Sequence, residues 1–379
     1  MKYVLIPDSF KGTLSSAEIC AIAAEEIRAL DSGAEICAIP VADGGEGTVD
    51  AFLAAVGGER VTLRCRGPHG RDVDGFYGML PDGTAVVEMA AAAAGLPLMG
   101  RQRNAETATT YGVGQLIAHA LHSGAKRIVL GLGGSATNDG GTGAAAALGA
   151  VFLDAAGRPF VPVGKTLSEI AHIRMDGLDP AVLQVPFVTM CDIDNPLCGE
   201  NGASAVFGPQ KGADAAMVAR LDAGLAHLEE IVKRDLGVEI RDLPGSGAAG
   251  GFGGGSVAFF GSTLQMGIET VLDLAEFDRR CAGADLVLTG EGRLDQQSLR
   301  GKTVIGVARR AKALGVPVAA LVGAAVPELE EAYRQGVCGV FPIHPAPAEL
   351  ERVLPHSADH LRFTVRNLAH FAQALRGCR

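Results

Sequence analysis

Four short segments that pair glycines with acidic residues constrain this chain most, because three of them follow an apolar, strand-like run directly. The segments are residues 42–48, 131–141, 191–196 and 289–295, and the third has its glycine, Gly199, a few residues further on. Glycine allows sharp turns and close approach of the backbone to a ligand, and acids beside such turns can hold Mg²⁺ or accept a proton. In open α/β sheets the loops at the carboxyl ends of parallel strands share one crevice. We therefore expect four loops, distant in sequence, to build one site suited to phosphoryl transfer.

The order of helix and strand patterns indicates an α/β fold. Residues 4–7 and 36–41 are typical of buried strands. A capping-box pattern at 15–18 opens a helix with apolar residues at helical spacing, and a second helix is predicted over 49–56. The same alternation returns near the end of the chain, with a strand at 285–289, a helix at 302–314 and a strand at 317–322. This rhythm favours a parallel sheet covered by helices.

The middle of the chain has a different texture, which indicates a second domain. Residues 76–80 and 84–89 form a hairpin pattern around a Pro-Asp-Gly turn, and 128–130 and 187–191 are predicted to be buried strands. With 379 residues, the chain is long for one hydrophobic core. The glycine-rich residues 245–255 are typical of a flexible linker, or equally of a tight loop at a ligand or at close-packed backbone.

Composition excludes several classes of partner. The net charge of −10 and the lack of a Lys/Arg cluster argue against nucleic-acid binding, as does the absence of Trp with only 4 Tyr. The apolar start is too short for a signal peptide, and the alanine-rich stretches are shorter than a membrane span. The eight cysteines contain no C-x-x-C pair and fit free thiols in a reducing compartment. We expect a cytoplasmic enzyme or binding protein, with no membrane partner.

The segment from Gly131 matches the dinucleotide fingerprint G-x-G-x-x-A on paper, with an acid, Asp154, further on. However, such a loop should enter its helix at once, and here a polar and glycine-rich stretch prolongs it. The more general interpretation is a backbone cradle that presents amides to a phosphate. An NAD(P)-dependent oxidoreductase acting on a small hydroxy acid stays open as an alternative, as does a non-catalytic sugar-acid-binding protein.

Other short motifs are rejected or stay ambiguous. Residues 301–303 end like a Walker A loop, but the earlier glycine that it requires is replaced by Gln296. Residues 192–195 open like a calcium loop, but Leu197 and Ala203 stand where glycine and an acid are needed. Lys11, near a predicted helix start, indicates a bound phosphate or carboxylate. No nucleophile elbow and no H-E-x-x-H motif occur, so nucleophilic or zinc catalysis has little support.

Taken together, these segments resemble the glycerate kinase family, specifically the bacterial glycerate 2-kinase type, also called type 1. The matching stretches, in the family's order, are residues 7–16, 41–48, 131–143, 189–199, 245–255 and 289–302. The resemblance implies ATP-dependent, Mg²⁺-dependent phosphorylation of D-glycerate, with 2-phosphoglycerate favoured over 3-phosphoglycerate. It also implies a flavodoxin-like parallel α/β domain made from both chain ends (1–65 and 285–379) and an inserted α/β domain (66–284), with the active site in the interdomain cleft. A homodimer is possible for such an enzyme.

A hypothesis for the site follows from the resemblance and from the chemistry of the residues. Asp192 is the first choice for the base that accepts the hydroxyl proton and Asp43 the second, with Lys11 as a further catalytic residue that neutralises phosphate. The expected ATP and phosphate ligands are Gly133, Gly134, Ser135, Thr137, Asn138 and Lys302. The expected substrate ligands are Arg293, Arg64, Ser9 and Asp295. The expected Mg²⁺ ligands are drawn from Asp43, Glu46, Asp192 and Glu291.

Overall fold

The structure, a computed structural model, describes residues 1–10, 12–92, 94–100, 103–296, 298–345 and 349–377. Within these ranges, none of the helices combines the length and the apolar character needed to cross a membrane. Lys11, which was predicted to neutralise phosphate, lies outside the described residues.

The strands in chain order are β1 Lys2–Pro7, β2 Glu35–Ala38, β3 Glu59–Arg66, β4 Asp72–Met79, β5 Thr84–Glu88, β6 Arg127–Gly131, β7 Val151–Leu153, β8 Pro159–Phe160, β9 His172–Arg174, β10 Phe187–Met190, β11 Thr263–Gln265, β12 Leu286–Leu294, β13 Val318–Ala325 and β14 Val337–Pro342. The α-helices are α1 Ser16–Leu30, α2 Thr48–Val56, α3 Met89–Ala92, α4 Tyr111–His122, α5 Thr142–Ala147, α6 Ala203–Phe207, α7 Ala215–Leu236, α8 Ala248–Phe260, α9 Gly267–Leu274, α10 Phe277–Cys281, α11 Thr303–Ala313, α12 Glu330–Arg334, α13 Leu350–Val353 and α14 Ser357–Gly377. Short 3₁₀ helices include Pro209–Lys211 and Ser298–Arg300.

The chain divides into two compact units. Unit 1 comprises residues 1–43, 54–56 and 266–379, and unit 2 comprises residues 44–53 and 57–265. Each unit has a β-sheet and a hydrophobic core of its own.

Unit 1 is built on a five-stranded parallel sheet in the order β14-β13-β12-β1-β2. The predicted capping box is confirmed, since Ser15 caps α1 and the Glu18 carboxylate accepts from the Ser15 backbone N–H. Ile19 and Ile27 of α1 are buried in the core with strand residues such as Leu5. The α/β alternation predicted from both chain ends is thereby confirmed.

Unit 2 contains a six-stranded mixed sheet in the order β11-β10-β6-β5-β4-β3. The four strands from β11 to β5 run parallel, and β4 and β3 add an antiparallel edge. The predicted hairpin is confirmed as β4 and β5. A small antiparallel sheet, β8-β7-β9, completes the unit. The parallel part brings the carboxyl ends of β6 and β10 side by side, and the predicted glycine-acid segments follow these ends.

Two local predictions are wrong. Residues 289–295 are not a loop, because β12 continues to Leu294 and pairs with β13 as far as Ala325. A Cβ on Gly290 would lie 2.2 Å from the Leu321 carbonyl oxygen, so this glycine permits close strand packing rather than a turn. The second predicted strand also ends earlier, at Ala38.

The glycine-rich residues 245–255 are not a flexible linker. From Ala248 onward they belong to the buried helix α8, which has a left-handed kink at residues 249–251. A Cβ on Gly255 would lie 2.0 Å from the Gly140 carbonyl oxygen. Of the two interpretations left open from the sequence, close packing of backbone against backbone is confirmed.

Candidate active site

Residues 131–141, here called the glycine loop, connect β6 to α5 in unit 2. The loop packs directly on the first glycine-acid segment, because the Gly133 N–H donates to the Gly44 carbonyl at 2.9 Å. A Cβ on Gly133 would lie 2.7 Å from the Gly45 Cα atom, so only glycine fits there. Gly44 in turn lies against Met190 at the end of β10. Two of the four predicted segments therefore pack together at the carboxyl ends of β6 and β10, directly beside the start of the third.

The polar side chains of the glycine loop are buried and held in place. Asn138 Nδ2 donates to Ser204 Oγ at 3.1 Å. The Asp139 carboxylate accepts from the Thr110 N–H and hydroxyl, both at 2.8 Å, and from the Gly141 N–H at 3.2 Å. Burial raises the pKa of Asp139, while these donors act in the opposite direction. Thr137 Oγ1 and Asn138 Oδ1 are buried and have no hydrogen-bond partner in the described part of the chain, so two polar atoms of the loop are left unsatisfied there.

The loop runs on after β6 for some distance before its helix begins. β6 ends at Gly131 and α5 starts only at Thr142. A dinucleotide fingerprint places its helix N-terminus within the motif. The geometry therefore agrees with a phosphate cradle better than with the dinucleotide interpretation.

Lys211, which no sequence pattern indicated, lies within hydrogen-bonding distance of the glycine loop. It ends the 3₁₀ helix Pro209–Lys211 and is only 1% exposed. Its ammonium group donates to Ser135 Oγ at 3.0 Å and to the Thr137 carbonyl at 2.6 Å. Burial lowers the pKa of Lys211 to about 7, with the nearby Asp139 carboxylate acting in the opposite direction. A lone lysine between Gln210 and Gly212 carries no sequence signature of such a position.

In unit 1, two acids are held close together by the pairing of β1 with β12. Pro7 is in register with Gly290, and the Asp8 N–H donates to the Gly290 carbonyl at 2.8 Å. Asp8 thus follows β1 beside Glu291 of β12. We call Asp8 and Glu291 the carboxylate pair. The sequence placed Glu291 among metal ligands but assigned no role to Asp8, although Asp8 lies in a segment that it singled out.

Glu291 is 7% exposed, and its Oε1 atom has no hydrogen-bond partner among the residues that the structure describes. Burial raises the pKa of Glu291 to about 7, and the Asp8 and Asp295 carboxylates add to this. The Ser298 hydroxyl and the Lys302 ammonium group act in the opposite direction. Lys302 is the N-cap residue of α11, and its N–H donates to the Ser298 carbonyl at 3.2 Å. Glu291, Asp295 and Lys302, which were predicted for three different roles, therefore share one electrostatic environment with Asp8.

A buried carboxylate with an orphaned oxygen fits a bound cation. Across the described part of the chain, no group of three or more His, Cys, Asp or Glu side chains is arranged to hold a metal. Mg²⁺, however, is usually held by one or two carboxylates together with waters and substrate phosphates. The carboxylate pair satisfies that smaller requirement.

The remaining predicted residues differ in their exposure and in their ion-pair partners. Asp43, Asp192 and Ser9 are half-buried, and Glu46 is exposed. Arg293 is exposed and its Nε lies 3.7 Å from Asp295 Oδ2. Arg64 pairs with Asp74 at 3.1 Å on the edge strand β3, three strands away from β6 in the sheet.

Comparison with known proteins agrees with these features. A model of the glycerate kinase family matches residues 3–373 of the chain. The chain belongs to the glycerate kinase family. It is 43% identical over 371 residues to glycerate kinase of Bacillus subtilis (strain 168), with 97% of each chain covered. It is 41% identical to glycerate 2-kinase of Escherichia coli (strain K12), again with 97% of each chain covered.

A solved structure shows the same fold. The crystal structure from Salmonella typhimurium LT2, provisionally named glycerate kinase 2, superposes with a TM-score of 0.88 at 42% identity, covering 100% of this chain and 99% of the other. Membership of the glycerate kinase family, with relatives matched along almost the whole chain, identifies the protein as a kinase.

Proposed function

We propose that this kinase transfers the γ-phosphoryl group of ATP to D-glycerate in a Mg²⁺-dependent reaction, and that the C2 hydroxyl is the acceptor. The observation that carries the proposal is the match to glycerate kinases along almost the whole chain. The name of the Escherichia coli relative, glycerate 2-kinase, supports the choice of C2. The glycine loop agrees with binding of nucleotide phosphates, and the carboxylate pair agrees with binding of Mg²⁺.

The glycine loop is proposed to bind the nucleotide phosphates. Phosphoryl transfer requires positioning and charge neutralisation more than covalent chemistry. Phosphate oxygens would be bound by the backbone amides of residues 133–138 and by the side chains of Ser135, Thr137 and Asn138. The Thr137 hydroxyl has no hydrogen-bond partner among the described residues. Lys11 and Lys302 are proposed to neutralise further phosphate charge.

Asp8 and Glu291 are proposed to hold Mg²⁺, together with some of the sequence-based candidates Asp43, Glu46 and Asp192. When bound, the ion would neutralise charge on the β- and γ-phosphates. Deprotonated Glu291 would then have a partner for its orphaned Oε1 atom. A cation beside Glu291 would also return the pKa of this carboxyl toward its usual range, because opposite charge favours the ionised form.

Asp192 is proposed as the base that orients the glycerate hydroxyl and accepts its proton, with Asp43 as the alternative. A positioned base of this kind contributes roughly 10²–10⁴-fold in rate. Arg293, Ser9 and Asp295 are proposed to bind glycerate, since arginine can hold a carboxylate through two hydrogen bonds. Arg64 remains a second candidate for that role.

The domain organisation stays a prediction, with a flavodoxin-like domain over 1–65 and 285–379 and an inserted domain over 66–284. The cytoplasmic location and the possible homodimer also stay predictions.

Measurement of ADP release with D-glycerate, ATP and Mg²⁺ tests the proposed reaction directly. Product NMR then identifies the phosphorylated carbon, with 2-phosphoglycerate as the expected product. Formation of 3-phosphoglycerate would correct the regiochemistry alone. If no ADP forms with D-glycerate, the proposed substrate is wrong, and a fluorescence titration with NADH would test the oxidoreductase alternative.

A further inference from the structure

Lys211 is a buried cation that donates two hydrogen bonds to the glycine loop, and its ammonium group has no third acceptor among the described residues. Its Nζ atom donates to Ser135 Oγ and to the Thr137 carbonyl, and an ammonium group has three protons. Burying an ammonium group costs several kcal/mol unless charge or hydrogen bonds compensate for it. A hydrophobic residue would fill this position at lower cost, so the presence of lysine requires a reason.

Asp139 offers only part of that reason. It is the charged group that favours the protonated form of Lys211. The Asp139 carboxylate, however, already accepts three hydrogen bonds, from Thr110 and Gly141. Arg103, an exposed cation that contacts the residue before Lys211, donates to the Gln210 carbonyl. Neutralisation of Asp139 therefore does not explain why the ammonium group is directed at residues 135 and 137 of the loop.

Unused polar capacity lies in the same part of the loop. Thr137 is fully buried, and its hydroxyl has no partner within the described structure. The carbonyl of the same residue receives the ammonium proton of Lys211. The Thr137 hydroxyl and the Lys211 ammonium group can both donate a further hydrogen bond, and Thr137 is common to both. An anionic oxygen is the ligand that would accept such bonds.

We propose that Lys211 is the buried cation of the nucleotide-phosphate site, where it positions residues 135–137 and places positive charge beneath the bound phosphate. The ligand class is a phosphate group of a nucleoside di- or triphosphate. This inference rests on the proposed function, in which the glycine loop binds the nucleotide. Lys211 is a positioning residue, since it acts through Ser135 and Thr137.

A change in protonation follows from the burial of Lys211. Because its pKa is about 7, the side chain is mostly neutral at pH 8 in the free protein. A phosphate nearby favours the charged form and raises that pKa. Nucleotide binding at pH 8 should therefore take up as much as roughly one proton from the buffer.

Calorimetry of ADP binding tests the proposal, performed at pH 8 with EDTA in two buffers that differ in ionisation enthalpy. The difference in measured heat gives the number of protons taken up. Net uptake is expected for the unaltered protein, and this measurement needs no variant that might misfold. Binding without uptake between pH 7 and 9 would overturn the proposal.

Variants then assign the proton to Lys211. Lys211→Met should abolish the uptake and weaken ADP binding by about ten- to hundredfold, the loss expected for one charge-assisted interaction. Lys211→Arg should keep most of the affinity without the uptake, because arginine stays charged. Lys233→Met is the matched control, since Lys233 is exposed on α7 and pairs with Glu239. Uptake that persists in Lys211→Met would also overturn the proposal.

Two further measurements separate this inference from the proposed function. Glu291→Gln should retain the uptake, which excludes the other group with a pKa of about 7 as its source. Turnover of D-glycerate is measured independently of binding. Proton-linked ADP binding without glycerate turnover would leave the role of Lys211 intact and refute the substrate. Turnover of D-glycerate without proton uptake on ADP binding would refute the role of Lys211 and leave the proposed substrate intact.

Discussion

In each unit of this protein, burial moves the pKa of one side chain to about 7, and the two shifts have opposite directions. In unit 1 the pKa of Glu291 is raised to about 7, and in unit 2 the pKa of Lys211 is lowered to about 7. Desolvation is the largest cause in both cases, because it disfavours whichever form is charged. The carboxylate pair would be completed by a cation, and the site at Lys211 by an anion.

The largest expected effect tests whether phosphoryl transfer depends on Asp192, an acid that is separate from Glu291 and Lys211. Asp192→Asn should lower kcat by roughly 10²–10⁴-fold and leave nucleotide binding near normal, because asparagine cannot accept the hydroxyl proton. Asp194→Asn, an exposed acid in the same segment, is the control and should stay within a few fold. Wild-type kcat in the Asp192 variant would remove Asp192 from the role of base.

The second test concerns the pH dependence of stability from Lys211. Its pKa is lowered from the usual 10.5 to about 7, so the unfolded chain binds more protons between these values and stability rises with pH. This contribution amounts to as much as roughly 5 kcal/mol across the window. Denaturant unfolding from pH 7 to 9 should therefore show a slope that Lys211→Met lacks and that Lys233→Met keeps. Equal slopes in all three proteins would refute the burial of a neutral lysine.

Glu291 should give the opposite slope. Its pKa is raised from the usual 4.5 to about 7, so the folded protein binds more protons between these values and stability falls as pH rises. Glu291→Gln should remove that fall, worth as much as roughly 3 kcal/mol, and should weaken activation by Mg²⁺. Glu330→Gln, on an exposed position of α12, is the control. If the Gln variant keeps the pH dependence of the unaltered protein, the raised pKa belongs to another group.

The smallest expected effect tests the backbone of the glycine loop independently of the charge on Lys211. Gly133→Ala places a methyl group 2.7 Å from Gly45 Cα, so the loop must shift, and the KM for ATP should rise several-fold. The loss of stability should be of the order of 1–3 kcal/mol, typical of overpacking. Gly33→Ala is the control, because its new methyl group would lie 3.5 Å from Asp31 Oδ1, an ordinary van der Waals contact. An unchanged KM would show that the loop backbone does not contact the nucleotide.

The local elements were largely predictable because their signals are local. The capping box at Ser15, the hairpin of β4 and β5, and the strands β6 and β10 follow from short-range patterns that the structure confirms. Predictions failed at Gly290 and stayed open at Gly255, where glycine serves packing between distant segments. Gly290 extends a strand pair and Gly255 lies against Gly140, and neither contact can be recognised from neighbours in sequence.

By itself, the sequence determined the α/β class, the family and the glycine-acid segments, because periodicity, caps and motifs are properties of neighbouring residues. Only the tertiary structure decided that Lys211 lies against the glycine loop and that Asp8 lies beside Glu291. The reason is physical: a pKa is moved by desolvation and by charges close in space. Residues 135 and 211, or 8 and 291, become neighbours only once the strands have paired and the core has closed.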